Sequence, residues 1–356
     1  MHSINMRSDT QTLPTPAMRQ AIANAQVGDD TYGEDPTVNE FQALAAEMLG
    51  MEAALLVLSG TMGNLVSLMA HGGPGDEVIL DEDSHIFHYE VGGLASIAGL
   101  MPMPVRSRMG ILDPDEVAAA IRPRNLHYPT PRLLCLENTH NRSGGRLIPL
   151  DLQRNLCRVA RDNGLAVHLD GARIFNAAVA AKVSPDQVTR DVDSVQVCLT
   201  KGLGCPLGSF VAGSRDFIDR ANRARKRLGG GMRQAGIIAA AGIYALQNHV
   251  DRLADDHRRA RTLAEQVNQL RNLSVDMQTV ESNMVYIDHS EMGISSSTFE
   301  RRLADVGLLV STRPPTHIRL CTNLHHDDNT IAQALERIAH VAQTSNARDG
   351  ATAAGH

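Results

Sequence analysis

Six short apolar runs mark the first 250 residues of the chain: Ala53–Leu58, Glu77–Leu80, Arg132–Leu136, Leu165–Leu169, Ser194–Leu199 and Ser209–Ala212. Each is bounded by Gly, Asp, Ser or Pro and is too short for a buried helix, so each predicts a strand covered on both faces. Between the runs lie segments of helical period. Asp35-Pro36 predicts a helix start, with the aspartate as cap and the proline in the first turn. Phe41, Leu44, Ala45, Met48 and Leu49 then recur on one helical face. Strands alternating with helices predict a largely parallel α/β sheet.

The pattern changes after about Ala221. Residues 234–247 and 251–271 predict two helices, the second long and charged. Strand candidates Leu273–Met277, Met284–Ile287, Leu308–Thr312 and His317–Cys321 follow, around a helix near 296–305, with a last helix over 328–343. The expected organisation is a large domain over 1–245, a smaller α+β domain over 246–345, and a small, polar, frayed tail over 346–356.

A chain of 356 residues exceeds what one core usually fills, in keeping with two domains. A net charge of -6 without a long basic run argues against nucleic acid as a partner. No apolar stretch is long enough for a membrane span, and Met1 to Thr10 has no apolar core of the signal-peptide kind. The five cysteines are an odd count without CxxC spacing, and Cys135 and Cys198 lie in strand-like runs as small hydrophobes. A cytoplasmic, reduced protein is expected.

Four segments at the ends of predicted strands carry candidate chemistry. Ser59–Asn64 offers small residues and backbone N–H groups at a helix start, which suit a phosphate, although an ordinary strand-to-helix turn reads the same way. Asp81–Tyr89 holds His85 and His88, able to stack on a flat ring or move protons, or simply to sit on the surface. Asp170, closing the strand at 165–169, suits a protonated pyridine nitrogen or, more blandly, a helix cap. Lys201, in Leu199-Thr200-Lys201-Gly202-Leu203-Gly204, suits a Schiff base or plain solvation.

Their order decides among these readings. Phosphate turn, imidazole, carboxylate and lysine each follow a strand, and open α/β sheets build their sites at that edge. A phosphate cup, a partner for the pyridine nitrogen and a lysine are what a protein must supply to hold pyridoxal phosphate. A dehydrogenase reading of Lys201–Gly204 lacks the full GxGxxG, because Gly208 falls one place late. His85-x-x-His88 and His325-His326-Asp327-Asp328 supply no complete metal-ligand set, so no metal is expected.

Eight segments together resemble the low-specificity L-threonine aldolases, pyridoxal-phosphate enzymes of the aspartate-aminotransferase-like fold type I. They are Arg7–Thr10, Gly28–Pro36, Ser59–Asn64, His85–Phe87, Glu137–Asn141, Asp170–Arg173, Lys201–Pro206 and Gly229–Gln234, in family order. The resemblance implies a mostly parallel seven-stranded sheet and cleavage of L-threonine, L-allo-threonine and other β-hydroxy-α-amino acids to glycine and an aldehyde. It implies that Lys201, beside Thr200, forms the Schiff base, that Asp170 pairs with the pyridine nitrogen, and that Arg173 lies near the phenolic oxygen. Gly60 and Thr61 would hold the phosphate. His85 would stack on the ring and, with His140, lie near the substrate hydroxyl, as base directly or through a water. Ser8 and Arg319 would bind the substrate carboxylate.

The resemblance further implies a homodimer with shared active sites, assembling to a tetramer, in which Tyr32, Lys226 and Arg233 reach the site of a neighbouring chain. The chain departs from the family pattern at Cys205, where the family has alanine, and at Asn323, where it has histidine. Arg313 is a nearby rival to Arg319. Another fold type I lyase acting by β-elimination, a decarboxylase, an aminotransferase and a non-catalytic relative remain alternatives, because fold does not separate them.

Overall fold

The computed structural model describes residues 3–352, with side chains described through residue 344. Among these residues twelve strands follow in chain order: β1 (Ile4–Asn5), β2 (Ala53–Val57), β3 (Asp76–Asp81), β4 (Met101–Val105), β5 (Thr130–Glu137), β6 (Ala166–Asp170), β7 (Ser194–Cys198), β8 (Ser209–Gly213), β9 (Met284–Asp288), β10 (Leu308–Leu309), β11 (Ser311–Arg313) and β12 (His317–Cys321). The chain forms two compact units, one over Leu13–Asp251 and one joining the N-terminal segment up to Thr12 to the chain from Arg252 onward.

The first unit carries a seven-stranded sheet in the order β2-β8-β7-β6-β5-β3-β4. β8 runs antiparallel to both of its neighbours, β2 and β7, and every other adjacent pair is parallel. Two reversals cancel, so β2 points the same way as β7. The carboxyl ends of β2, β3, β5, β6 and β7 therefore share one edge. Every residue of β7 and β8 is buried, which explains their continuous apolar character.

Helix Gly60–His71 is cemented between two parts of the core. Its Leu65 and Leu68 join Val78, Leu80 and Leu133, while Val66 and Ala70 join Leu55, Val57, Val211 and Phe217. Each such side chain contributes roughly 1.5–3 kcal/mol by leaving water, enough to fix where the helix begins as well as where it lies.

All six expected strands of this sheet form within about two residues of the expected bounds. β4 was not expected, since its sequence Met-Pro-Met-Pro-Val places proline at alternate positions. Proline is tolerated there because β4 is an edge strand with β3 as its one neighbour.

In the second unit β11, β12 and β9 form an antiparallel sheet, and β1 pairs with β10 in parallel. That two-residue pairing, Ile4 with Leu308 and Asn5 with Leu309, ties the N-terminal segment to this unit instead of to the expected large domain. Leu273–Met277 is not a strand: only Ser274 bridges to Asp288, and Asp276 caps a 3-10 turn by accepting the Gln278 N–H. The expected strand over 308–312 divides into β10 and β11. The last helix runs over Asp328–Thr352, past the expected end at 343, so the expected tail is helical as far as Thr352 and residues 353–356 lie outside the described residues.

Asp35 does more than cap its helix. Its buried carboxylate takes the N–H groups of Val38 at 3.0 Å, Gly28 at 3.1 Å and Gly236 at 2.9 Å, joining three chain segments. Removing a cap costs about 0.5–2 kcal/mol, and leaving further buried donors unpaired adds about 1–3 kcal/mol. Asp35→Ala is therefore expected to lower the stability of the protein by roughly 2–4 kcal/mol, read from the midpoint of urea unfolding. A midpoint equal to that of the parent would show that these bonds contribute nothing net.

Candidate active site

Each strand that ends on the shared edge delivers one part of a site. After β2, the Ser59 hydroxyl caps helix Gly60–His71 by accepting the Met62 N–H at 3.2 Å. The N–H groups of Gly60 and Thr61 lie in the first turn, where no helical carbonyl precedes them. A Cβ on Gly60 would stand 2.7 Å from Cys198 Sγ, so the helix start reaches the end of β7 only because this residue has no side chain.

After β3 comes the short helix His85–His88. Glu137, the last residue of β5, braces it: one carboxylate oxygen takes the His85 backbone N–H at 2.7 Å and the other takes the Asn141 N–H at 2.8 Å. β6 ends on Asp170, whose Oδ1 accepts the Ala172 N–H at 3.0 Å and whose Oδ2 accepts an N–H of Asn64 at 2.8 Å. Arg173 follows, buried, at the cap of helix Ile174–Ala181. After β7 the chain turns through Lys201, closed by the Gly204 N–H on the Lys201 carbonyl at 2.9 Å.

These parts line one cleft. Gly60, Thr61, His85, Asp170, Arg173 and Lys201, all singled out in the sequence, meet there. Asn64, Glu90, Glu137, Thr139 and Gln196 join them and had been assigned no role. Asn64 and Glu137 fall within segments that carried the family resemblance. Glu90 follows His85 by five residues across a helix end, a spacing that matches no helical or strand period.

Glu90 is buried and sits 3.0 Å from His85 Nδ1. Burial pulls His85 downward, but the hydrogen bond to Glu90 and the charges of Asp170 and Glu90 outweigh it, with Lys201 opposing, and its pKa ends above the ordinary value. Glu90 is itself raised, chiefly by burial and also by Asp170, against the pull of His85 and Asn64. Buried Thr139 Oγ1 and Gln196 Oε1 make no hydrogen bond within the protein, so the cleft presents polar atoms that await a ligand.

The other expected site residues lie outside this lining. His140 is buried, with Nε2 3.1 Å from Asp81 Oδ2. Burial lowers its pKa, but Asp81, Glu137 and Asp83 more than reverse that. The buried Asp81 carboxylate thus holds the His140 imidazole from one side. Thr200 precedes Lys201 in the turn, Tyr32 is 75% exposed, and Lys226 and Arg233 lie on the surface, the last 3.2 Å from Asp29. Ser8 and Arg319 belong to the second unit, where Ser8 caps the Asp9–Gln11 turn and Arg319 donates to the Arg7 carbonyl at 3.0 Å. Arg313 donates there to the Tyr286 hydroxyl and the Thr312 carbonyl. His88 holds the Glu82 carbonyl, and His326 the Asn5 carbonyl.

A family model for beta-eliminating lyases matches residues 5–290. The chain belongs to the beta-eliminating lyase family. Within it the chain falls among the low-specificity L-threonine aldolases. It is 43% identical to low-specificity L-threonine aldolase 1 of Arabidopsis thaliana over 93% of each chain. It is 43% identical to the low specificity L-threonine aldolase of Escherichia coli (strain K12) over 93% of this chain and 96% of that one. A threonine aldolase structure from Leishmania major superposes with a TM-score of 0.82 over 95% of this chain and 99% of that one, at 19% identity. Such structural likeness establishes the fold, and with it the fold type I expectation. Among the described residues no helix is long and apolar enough to cross a membrane.

The hydrogen bond to Glu90, with the charges of Asp170 and then Glu90, favours the protonated form of His85. Glu90→Gln keeps an acceptor for the Nδ1–H but removes the carboxylate charge, so part of what favours the imidazolium is lost. NMR titration of the His85 ring in Glu90→Gln is expected to give a midpoint at lower pH than in the parent. An unmoved midpoint would show that Glu90 does not set the protonation of His85.

Proposed function

We propose that the chain is a pyridoxal-phosphate-dependent carbon–carbon lyase that cleaves L-threonine, L-allo-threonine and other β-hydroxy-α-amino acids to glycine and an aldehyde, acetaldehyde in the case of threonine. The observation that carries this reading is the convergence of Lys201, Asp170, His85 and the Gly60–Thr61 helix start in one cleft, in a chain whose relatives are named threonine aldolases.

The cleft fits pyridoxal phosphate on chemical grounds. The helix start offers N–H donors to a dianion, Asp170 offers a carboxylate to a ring N–H, Lys201 offers an amine, and Thr139 and Gln196 supply unspent polar atoms. When bound, the cofactor supplies the electron sink that accepts the electrons of the broken Cα–Cβ bond. Lys201, with Thr200 behind it, would hold the carbonyl carbon, Gly60 and Thr61 the phosphate, and Arg173 the phenolic oxygen. Asp170 would keep the proton on the pyridine nitrogen.

His85 is the base we assign to the β-hydroxyl proton. Its Nδ1 is committed to Glu90, which leaves Nε2 to accept. Such a base contributes about 10²–10⁴-fold to a rate. Because its pKa is raised, the accepting form is lost as pH falls through that raised value, and kcat is expected to fall on the acid side accordingly. For the substrate carboxylate we retain Ser8 and Arg319 on the family resemblance.

We further propose a homodimer with shared sites, paired into a tetramer, in which Tyr32, Lys226 and Arg233 serve a neighbouring copy. Their exposure, and a cleft lining of their own chain that does not include them, support this. Five free, buried cysteines suit a reducing compartment, and we place the protein in the cytoplasm.

The test is to supply L-threonine to the cofactor-loaded protein and assay glycine and acetaldehyde together. Equal amounts of both are expected; ammonia with a keto acid would instead favour β-elimination. Asp170→Ala should retain part of its cofactor absorbance while kcat drops by about 10²–10³-fold. Undiminished cleavage in that variant would remove Asp170 from the mechanism.

A further inference from the structure

Behind the cleft a chain of buried polar groups runs from Asp170 to the far end of helix Gly60–His71. Asn64 Nδ2 lies 2.8 Å from Asp170 Oδ2 and 2.8 Å from Glu90 Oε1. Asn64 Oδ1 lies 3.2 Å from His168 Nε2, His168 Nδ1 lies 2.9 Å from Ser194 Oγ, and Ser194 Oγ lies 2.7 Å from His71 Nε2. Asn64, His168, Ser194, Glu90 and Asp170 are all buried.

The chemistry of these groups leaves one arrangement of hydrogens. An amide turned to set its oxygen against two carboxylates would be repelled, so Asn64 directs its two N–H bonds at Asp170 and Glu90. Its oxygen only accepts, so His168 must carry its proton on Nε2. Burial, with His71 adding to it, pushes His168 down to about 3, and burial pushes His71 down to about 4, so both rings are neutral at working pH. A neutral His168 protonated on Nε2 accepts at Nδ1, so the Ser194 hydroxyl donates to it. The Ser194 oxygen then receives the His71 Nε2–H. Every donor along the chain points toward the two carboxylates.

We propose that Asn64, locked by the His168–Ser194–His71 relay, is a positioning residue that divides its two donors between Asp170 and Glu90 and so holds both carboxylates aimed into the cleft. Two buried anions side by side repel. A single amide with one proton for each compensates both at once. The relay matters because an amide free to rotate would swap oxygen for nitrogen and abandon both anions. This inference rests on the assignment of Asp170 and His85 above.

The test uses the cofactor-loaded protein and reads His85, which Glu90 and Asp170 push up and Lys201 pushes down. His168→Leu removes the donor to Asn64 at similar volume, His168→Gln restores an N–H, and Ser194→Ala breaks the relay one step further back. In His168→Leu the Asn64 amide loosens, Glu90 takes up a proton more readily, and the NMR midpoint of His85 moves to lower pH. kcat for threonine falls by roughly 10-fold or more, with KM little changed. His168→Gln recovers both, and Ser194→Ala gives a smaller shift of the same sign.

Folded His168→Leu and Ser194→Ala proteins with the parental His85 midpoint would overturn the proposal. So would a fall in kcat that His168→Gln fails to rescue while the midpoint stays fixed. The titration needs no turnover. A parent that fails to cleave threonine would therefore defeat the functional reading, while the His85 midpoints would still decide the relay.

Discussion

Two carboxylates, Asp170 and Glu90, are buried within reach of the same amide, and the architecture of the site follows from supplying both with hydrogen-bond donors. A buried anion without donors would take up a proton instead. Here the donors come from backbone and amide N–H groups: Ala172 and Asn64 for Asp170, Asn64 and the His85 ring for Glu90. These donors belong to the fold and not to a ligand, which is the condition for a fixed field at a reacting centre.

That arrangement depends in turn on where helix Gly60–His71 starts and how it is rotated. Gly60 admits the helix to the end of β7, Gly60 and Thr61 face the cleft, and Asn64 follows one turn later on the same side. Leu65, Leu68, Val66 and Ala70 on its other faces lock that rotation into the two core clusters. One helix thus presents a phosphate-type N-terminus and the amide that governs both carboxylates. The reversal of β8 does the matching work in the sheet, since it lets β2 feed this helix onto the edge where β3, β5, β6 and β7 also end.

The strands and the first layer of the site were legible in the sequence because both are written locally. A buried strand is a short apolar run, and Asp170 and Lys201 each follow one directly. β4 was hidden because its alternating prolines carry the opposite local signal, and β1 because two residues paired with a partner some three hundred positions away leave no period to read. Glu90, Asp81 and His168 were missed for a related reason. Their roles depend on which side chain they face across the fold, and a single sequence carries no trace of that.

His140 shows the same limit from the other side. Its place in the Glu137–Asn141 segment resembles that of a residue at the substrate, yet Asp81 at the end of β3 captures its ring. Asp81 is held below the ordinary carboxylate range, burial being outweighed by His140, the Asp83 N–H and Ser107. The two raise the cost of separating each other, because moving either would strand its partner as a buried charge. Glu137 stands between the two imidazoles, touching the backbone of His85 on one side and that of Asn141 on the other. The site is therefore built as two histidine–carboxylate pairs, His85–Glu90 and His140–Asp81, joined through the backbone brace at Glu137.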